Sequence, residues 1–236
     1  MAYGRWRTAS QAAFVATDRA RLEVRPFLIN SRAMITPFKS LLLVLCAVLA
    51  LSACTEKSLQ ALQPGDKILA FGDSLTEGKG VSRDQAWPAV LEAISGFRVV
   101  NAGVSGEITA EGLARLPSVL DEVRPRLMVL LHGGNDILRN LSARQAADNL
   151  AAMIEMARAR GIAVVLVGVP EKKLFSDVAP MYPELAERFE LVFEDSVIAD
   201  LLRSPSKKSD SVHFNAAGYR EIAQTLADLL DDAGAL

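Results

Sequence analysis

Short apolar runs alternate with longer amphipathic stretches from Lys67 to the end of the chain. The β-prone runs cover residues 68–71, 97–101, 126–131 and 162–169. Apolar residues at helical spacing predict helices over 85–94, 110–123, 142–160, 183–189 and 215–230. Ser142 and Asn215 are the expected N-caps, and Gly161 is the expected helix terminator. Pro117 is expected to interrupt the second of these helices.

Strands that alternate with helices of this length indicate βαβ units and a parallel sheet. The run 162–169 (IAVVLVGV) is apolar on both faces, so helices must cover both sides of the sheet. We therefore predict an α/β protein, a three-layer α/β/α sandwich with a mostly parallel sheet, over residues 67–236. Ligand sites in such sheets lie beyond the carboxyl ends of the strands, so functional residues are expected directly after strands.

Charge is divided unevenly along the chain. Its 236 residues include 26 basic and 28 acidic ones, which is a net charge of −2. Residues 1–53 carry seven basic and two acidic side chains, so the net charge of the remainder is −7. An acidic domain lacks the clustered positive surface that phosphate binding needs, and this argues against nucleic acid as a partner.

Cysteine and histidine are both sparse. The two cysteines, Cys46 and Cys54, precede the domain, and the chain has only two histidines. The sequence therefore predicts no disulfide framework, no cysteine nucleophile and no metal site in the domain.

The N-terminal region has the pattern of an export signal. Residues 41–51 (LLLVLCAVLAL) form an apolar run of eleven residues that follows Lys39. The run is shorter than the roughly 18–20 residues that cross a bilayer and is typical of a signal peptide. Residues 51–54 (LSAC) resemble the lipobox of bacterial lipoproteins. This resemblance implies cleavage after Ala53, a lipid thioether on Cys54 and a membrane anchor.

Residues 1–33 form an Arg-rich extension that signal peptides rarely carry. We predict that translation starts at Met34, which gives a signal peptide over 34–53 and makes 1–33 a start-site artefact. A genuine extended leader and a single buried helix are the alternatives. Residues 54–66 are predicted to be a polar tether. No aspartate follows the cysteine, so the resemblance favours the periplasmic face of the outer membrane.

Four short motifs fall at predicted strand ends or before the last helix. They are 72–75 (GDSL), 101–106 (NAGVSG), 132–136 (HGGND) and 210–215 (DSVHFN). In this order they resemble the GDSL, or SGNH, hydrolase family, over residues 67–230. The resemblance implies a flavodoxin-like sheet and a serine hydrolase that cleaves acyl esters or thioesters through an acyl-enzyme, with no cofactor.

The resemblance also implies the roles of particular residues. Ser74 is the expected nucleophile and needs a base, since a serine hydroxyl is weakly reactive at neutral pH. His213 can serve if Asp210 binds its Nδ1 and leaves Nε2 for the serine. The oxyanion donors are expected to be the backbone N–H groups of Ser74 and Gly103 and the side-chain amide of Asn135. Asp73 and Asp136 are expected to brace loops. His132 is expected to be a buried histidine whose hydrogen bonds are satisfied near the site, without touching the substrate.

An apolar groove for an acyl chain is predicted from side chains that follow the strands: Ile108, Ile137, Leu138, Leu174 and Phe175. The resemblance is nearest to the arylesterase, lysophospholipase and acyl-CoA thioesterase branch, which implies a small-molecule or lipid acyl ester as substrate. A carbohydrate O-acetyl esterase with a more polar cleft is the first alternative. The second is a non-enzymatic, lipid-anchored binding module, against which the presence of every catalytic residue argues.

Overall fold

The computed structural model describes residues 58–172 and 177–236. The predictions for 1–33, 34–53 and Cys54 lie outside these residues, as do those for Leu174 and Phe175. Five parallel strands form one sheet in the order β2-β1-β3-β4-β5. The strands are β1 (Lys67–Gly72), β2 (Arg98–Gly103), β3 (Leu127–Leu131), β4 (Ala163–Val167) and β5 (Val192–Glu194).

Helices pack on this sheet in two groups. They are α1 (Ser74–Glu77), α2 (Trp87–Ser95), α3 (Thr109–Val123), α4 (Gly134–Leu138), α5 (Ala143–Ala159), α6 (Met181–Arg188), α7 (Val197–Arg203) and α8 (Ala216–Asp232). Helix α8 packs against α2 and α7, whereas α5 packs against α3 and α6. The predicted α/β sandwich with a parallel sheet is confirmed.

The central strands form because their residues are apolar on both faces. Ile68 to Phe71 in β1 and Met128 to Leu131 in β3 are fully buried, which only a sheet covered by helices on both sides allows. The predicted caps are also confirmed. Ser142 Oγ accepts from Gln145 N–H at 3.2 Å, and Asn215 caps α8 in the same way.

One prediction about the elements was wrong, and four short elements were not predicted. Helix α3 continues through Pro117, although a proline inside a helix costs roughly 3 kcal/mol. Its neighbours Leu116 and Leu120 are buried under the sheet, and their burial outweighs that cost. Strand β5 and three short helices were not predicted, because segments of three to seven residues show too few periods of apolar residues.

The segment predicted as a tether belongs partly to the domain. Leu59 N–H donates to Ala233 O at 2.8 Å, and Leu62 N–H donates to Ala235 O at 2.9 Å. Leu62 is buried, and the Arg126 guanidinium donates to Gln60 Oε1. Among the described residues, the packed domain therefore includes residues 58–66 as well as those from Lys67 onward. Within the described residues, no helix is long and apolar enough to cross a bilayer.

Candidate active site

Three predicted residues meet at the carboxyl edge of the sheet. Ser74 is the first residue of α1, directly after β1, whereas Asp210 and His213 lie on the loop before α8. His213 Nε2 lies 3.0 Å from Ser74 Oγ, and His213 Nδ1 lies 2.7 Å from Asp210 Oδ2. The three side chains form a continuous line of hydrogen bonds from carboxylate to hydroxyl, the arrangement of a serine nucleophile with its base.

The Asp210 carboxylate is fixed by its own loop. Its Oδ1 accepts from the backbone N–H of Val212 at 2.9 Å and of His213 at 2.8 Å. The Val212 hydrogen bond, followed by the one from the His213 ring, lowers the pKa of Asp210 to about 2. An ionised Asp210 accepts a hydrogen bond from the N–H at Nδ1, so the lone pair of Nε2 faces Ser74 Oγ.

Phe214 anchors the loop that carries the base. Its side chain is fully buried, and its ring meets the edge of the Tyr219 ring at 5.7 Å between centroids. Ser209 N–H donates to His213 O at 2.9 Å, which closes the loop around the histidine. The position of His213 is therefore set by core packing on α8 as well as by Asp210.

Two expected oxyanion donors face the pocket beside Ser74. The N–H of Ser74, at the start of α1, makes no hydrogen bond with another described residue. Asn135 lines the same cavity as Ser74 and His213. Its Nδ2 donates one proton to Glu107 O at 3.0 Å, which leaves its second proton for a ligand.

Gly103 differs from its prediction. Its N–H donates to Asn101 Oδ1 at 2.9 Å, so it is not free for a ligand. A Cβ at Gly103 would lie 2.0 Å from Glu77 N, and Gly103 lines the surface beside Gly78 rather than the serine cavity. This glycine allows β2 to approach α1 closely, which is a packing role.

Gly106 directly precedes Glu107, the residue whose carbonyl accepts from the Asn135 amide. It has a φ of 82°, a conformation that favours glycine, and its N–H makes no hydrogen bond with a described residue. The next residue, Glu107, holds the Asn135 amide, and the Gly106 carbonyl accepts from Arg139 at 2.6 Å. The motif NAGVSG contains both glycines. The second one, Gly106, stands in the turn after β2, and this position in the sequence could have indicated it as a backbone donor.

A half-buried ion pair lies beside residues 104–108, the segment after β2 that we call the oxyanion loop. Arg115 Nε lies 2.5 Å from Glu107 Oε1, and a second Arg115 nitrogen lies 2.7 Å from Oε2. The same guanidinium donates to Ala102 O at 2.9 Å and stacks 4.1 Å over the Phe71 ring. The end of β2 and the oxyanion loop are thereby tied to β1.

His132 completes this cluster as a fully buried histidine with a partner for each ring nitrogen, as expected. Its Nδ1 accepts from Gly133 N–H at 2.8 Å, so the proton lies on Nε2, which is 3.1 Å from Glu107 Oε2. Burial would raise the pKa of Glu107, but hydrogen bonds from His132 and Arg115 outweigh it and hold that pKa below its ordinary value.

Asp73 and Asp136 also brace loops. Asp73 caps α1 by accepting from Leu75 N–H at 3.1 Å, and burial raises its pKa. The Asp136 carboxylate accepts from the N–H and Oγ1 of Thr109 at 2.9 and 2.7 Å, which joins α4 to the start of α3. Both side chains are buried.

A cavity of about 380 Å³ opens at Ser74. Ile137 and Leu138 line it as predicted, and Val169, Pro170 and Leu202 complete its apolar wall. Ile108, the N-cap of α3, was predicted to line the cavity but does not. A larger groove of about 690 Å³ adjoins the cavity along Ile137.

Several known proteins are similar to this chain. The model of the GDSL-like Lipase/Acylhydrolase family matches residues 70–221. Esterase TesA of Pseudomonas aeruginosa is 40% identical over 146 residues, 59% of this chain and 71% of that protein. Thioesterase 1/protease 1/lysophospholipase L1 of Escherichia coli K12 is 30% identical over 173 residues, 70% of this chain and 83% of that protein.

A solved structure agrees with these relatives. The crystal structure of AlinE4, an SGNH-hydrolase family esterase, is 33% identical with a TM-score of 0.58 and covers 73% of this chain and 98% of its own. The chain therefore belongs to the GDSL-like lipase/acylhydrolase family and is a serine ester hydrolase with the SGNH-hydrolase fold.

Proposed function

We propose that this enzyme cleaves carboxylic acyl esters or thioesters through an acyl-enzyme on Ser74. The observation that carries the proposal is the line Asp210–His213–Ser74, with contacts of 2.7 and 3.0 Å. His213 acts as base and then as acid, and Asp210 orients the imidazole and stabilises its charged form.

The reaction follows from these positions. Ser74 Oγ attacks the acyl carbon while its proton passes to His213 Nε2, and the carbonyl oxygen becomes an oxyanion. The N–H groups of Ser74 and Gly106 and the amide of Asn135 donate to that oxygen. His213 then protonates the departing alcohol or thiol. Water, deprotonated by His213, releases the carboxylic acid and restores Ser74.

The apolar wall of the cavity supports an acyl chain longer than acetyl as the acid part of the substrate. Ile137, Leu138 and Leu202 face the volume beside Ser74, where a hydrocarbon chain would be shielded from water. The relatives named esterase and thioesterase/lysophospholipase support ester and thioester substrates alike.

We also propose that the enzyme is exported and anchored by lipid on Cys54, at the periplasmic face of the outer membrane. Support comes from the signal-like segment 34–53 and the lipobox-like residues 51–54. Intact-mass measurement of the protein extracted from membranes tests this, since a lipid-modified Cys54 at the N-terminus is the expected result. A chain that retains residues 34–53 would overturn it.

The catalytic proposal is tested with a p-nitrophenyl ester series from acetyl to palmitoyl. The full chain is expressed in bacteria, extracted in detergent and compared with Ser74→Ala and with Ser118→Ala, an exposed serine on α3. Ser74→Ala is expected to lower kcat by at least about 10⁴-fold, whereas Ser118→Ala leaves it unchanged. We expect an optimum above acetyl.

Other outcomes separate the alternatives. Activity that survives in Ser74→Ala removes this serine as nucleophile. A strict preference for acetyl, together with acetate release from glycans, would indicate a carbohydrate O-acetyl esterase. Inactivity toward every ester and thioester would favour a binding module.

A further inference from the structure

We propose that the anchor holds the enzyme with its active-site cavity facing away from the membrane that carries it. The substrate then reaches Ser74 from the aqueous side, as a water-dispersed ester rather than a lipid of the anchoring leaflet. This inference rests on the proposed lipid anchor at Cys54 and extends the proposed function by restricting its substrate class.

The packed N-terminal segment fixes where the anchor meets the domain. Ser58 and Gln60 line a depression with Arg126 and Gly161, both of which precede strands. This is the edge of the sheet at which the strands begin. Ser74 and Asn135 follow the ends of β1 and β3, so the cavity opens at the opposite edge.

Three kinds of contact hold the segment at this edge. The backbone at Leu59 and Leu62 bonds to Ala233 O and Ala235 O just beyond α8. The Leu62 side chain is buried, and Leu59 packs on the core. The Arg126 guanidinium donates to the Gln60 side chain. Because these contacts include burial and backbone pairing, the segment is part of the domain rather than a loose leader.

The remaining chain is too short for the cavity to face the anchoring leaflet. Four residue steps separate Cys54 from Ser58, so even a fully extended backbone spans at most about 14 Å. The 17-residue helix α5 runs from one edge of the sheet to the other, a rise of about 24 Å. Turning the cavity to the bilayer would require the linker to cover that height, which is beyond its reach.

Fluorescence transfer on reconstituted protein tests the orientation. The full chain is expressed in bacteria, and the lipidated protein is placed in vesicles of phosphatidylethanolamine and phosphatidylglycerol with a headgroup-linked acceptor. Ala143→Cys and Ala159→Cys introduce labels at opposite ends of α5, and both positions are exposed. Cys46 leaves with the signal and Cys54 is a thioether, so each introduced thiol is the only one that reacts with the donor dye.

We expect much greater energy transfer from position 159 than from position 143. Equal transfer, or greater transfer from 143, would overturn the proposal. An unmodified Cys54 in the intact mass would also overturn it, although p-nitrophenyl ester hydrolysis would remain. If the energy transfer is as expected but p-nitrophenyl esters are not hydrolysed, the proposed reaction is wrong and the proposed orientation stands. Failure of the orientation and failure of the reaction are therefore distinguishable.

A variant with a longer linker tests by activity whether the short linker keeps the enzyme from lipids of its own leaflet. A 24-residue Gly-Ser insertion before Ser58 extends the reach several-fold. The vesicles then carry lysophospholipid beside the anchored enzyme. We expect at least tenfold faster cleavage by the insertion variant than by the natural chain, with equal rates on a short soluble ester. Equal cleavage of the lysophospholipid by both proteins would contradict the aqueous-side restriction.

Discussion

The buried carboxylate of Glu107 offers the sharpest test of how the oxyanion loop is supported. Replacing Glu107 with Gln preserves its size but removes its charge and turns one oxygen into an N–H donor. The lost oxygen is needed, because Arg115 and His132 both present donors to this side chain. His132 cannot shift its proton away, since its Nδ1 already accepts from Gly133 N–H. One donor is therefore left facing another in a buried site.

The size of the effect follows from these contacts. A hydrogen bond to a charged group contributes about 1.5–3 kcal/mol. The Arg115 side chain keeps 24% of its surface exposed, so water compensates for part of the loss. We expect the free energy of unfolding to fall by about 2 kcal/mol, which lowers Tm by about 4–8 °C for a domain of this size.

Thermal unfolding at neutral pH measures this, with Glu122→Gln as the matched control. Glu122 is exposed on α3, the helix that carries Arg115, so its replacement should change stability by less than about 0.5 kcal/mol. Steady-state kinetics measure separately how Glu107 positions the Asn135 amide. Because Glu107 O holds the Asn135 amide, we expect kcat to fall about tenfold and KM to change little. A Tm within 1 °C of the control would refute the reasoning.

The pH dependence has a definite sign. The pKa of Glu107 is held below its ordinary value of 4.5, so its stabilising charge is present above pH 4.5 and is lost as the pH falls below it. The stability difference between the natural chain and Glu107→Gln should therefore narrow under acid conditions. A difference that grows on acidification would contradict the assigned contacts.

Three further predictions concern neighbouring groups. Asn135→Ala should lower kcat by about 10²–10³-fold and change Tm little, which steady-state kinetics and thermal unfolding measure. An unchanged kcat would show that Asn135 is not an oxyanion donor. Asp210→Asn should lower kcat by about 10⁴-fold. In the natural chain, the carboxyl resonance of Asp210 should titrate near pH 2, because its pKa is about 2. A titration midpoint near pH 4 would mean that the loop hydrogen bonds to this carboxylate are absent in solution. Gly103→Ala should yield little folded protein, because the new Cβ would lie 2.0 Å from Glu77 N. A Tm equal to that of the natural chain would show that β2 and α1 can move apart without loss of stability.

The sequence predicted correctly those features that depend on residues close together in the chain. Helix caps such as Ser142 stand directly before apolar periodicity. Ser74 stands directly after β1 and His213 directly before α8, so the motifs predicted where the two residues meet. The fold class followed from strands that are apolar on both faces.

Features that depend on strand order were not predicted. Glu107 follows β2 and His132 follows β3, and these residues meet only because both strands flank β1. The role of Gly106 was missed for a related reason, since only the folded turn shows that the next residue, Glu107, holds the Asn135 amide. Leu59 and Leu62 were the overlooked signal for the packed segment, because two leucines three residues apart in a polar stretch suggest a buried face.

The order of the active-site residues along the chain has a consequence for biosynthesis. Ser74 and His213 are 139 positions apart, and the base arrives with the last segment, whose Tyr219 hydroxyl also donates to Lys79 O in the loop after the nucleophile. A chain still emerging from the ribosome or a translocase holds the serine without its base. Such a nascent chain cannot hydrolyse esters it meets on its route, and the appearance of activity marks the moment at which the C-terminal helix has docked.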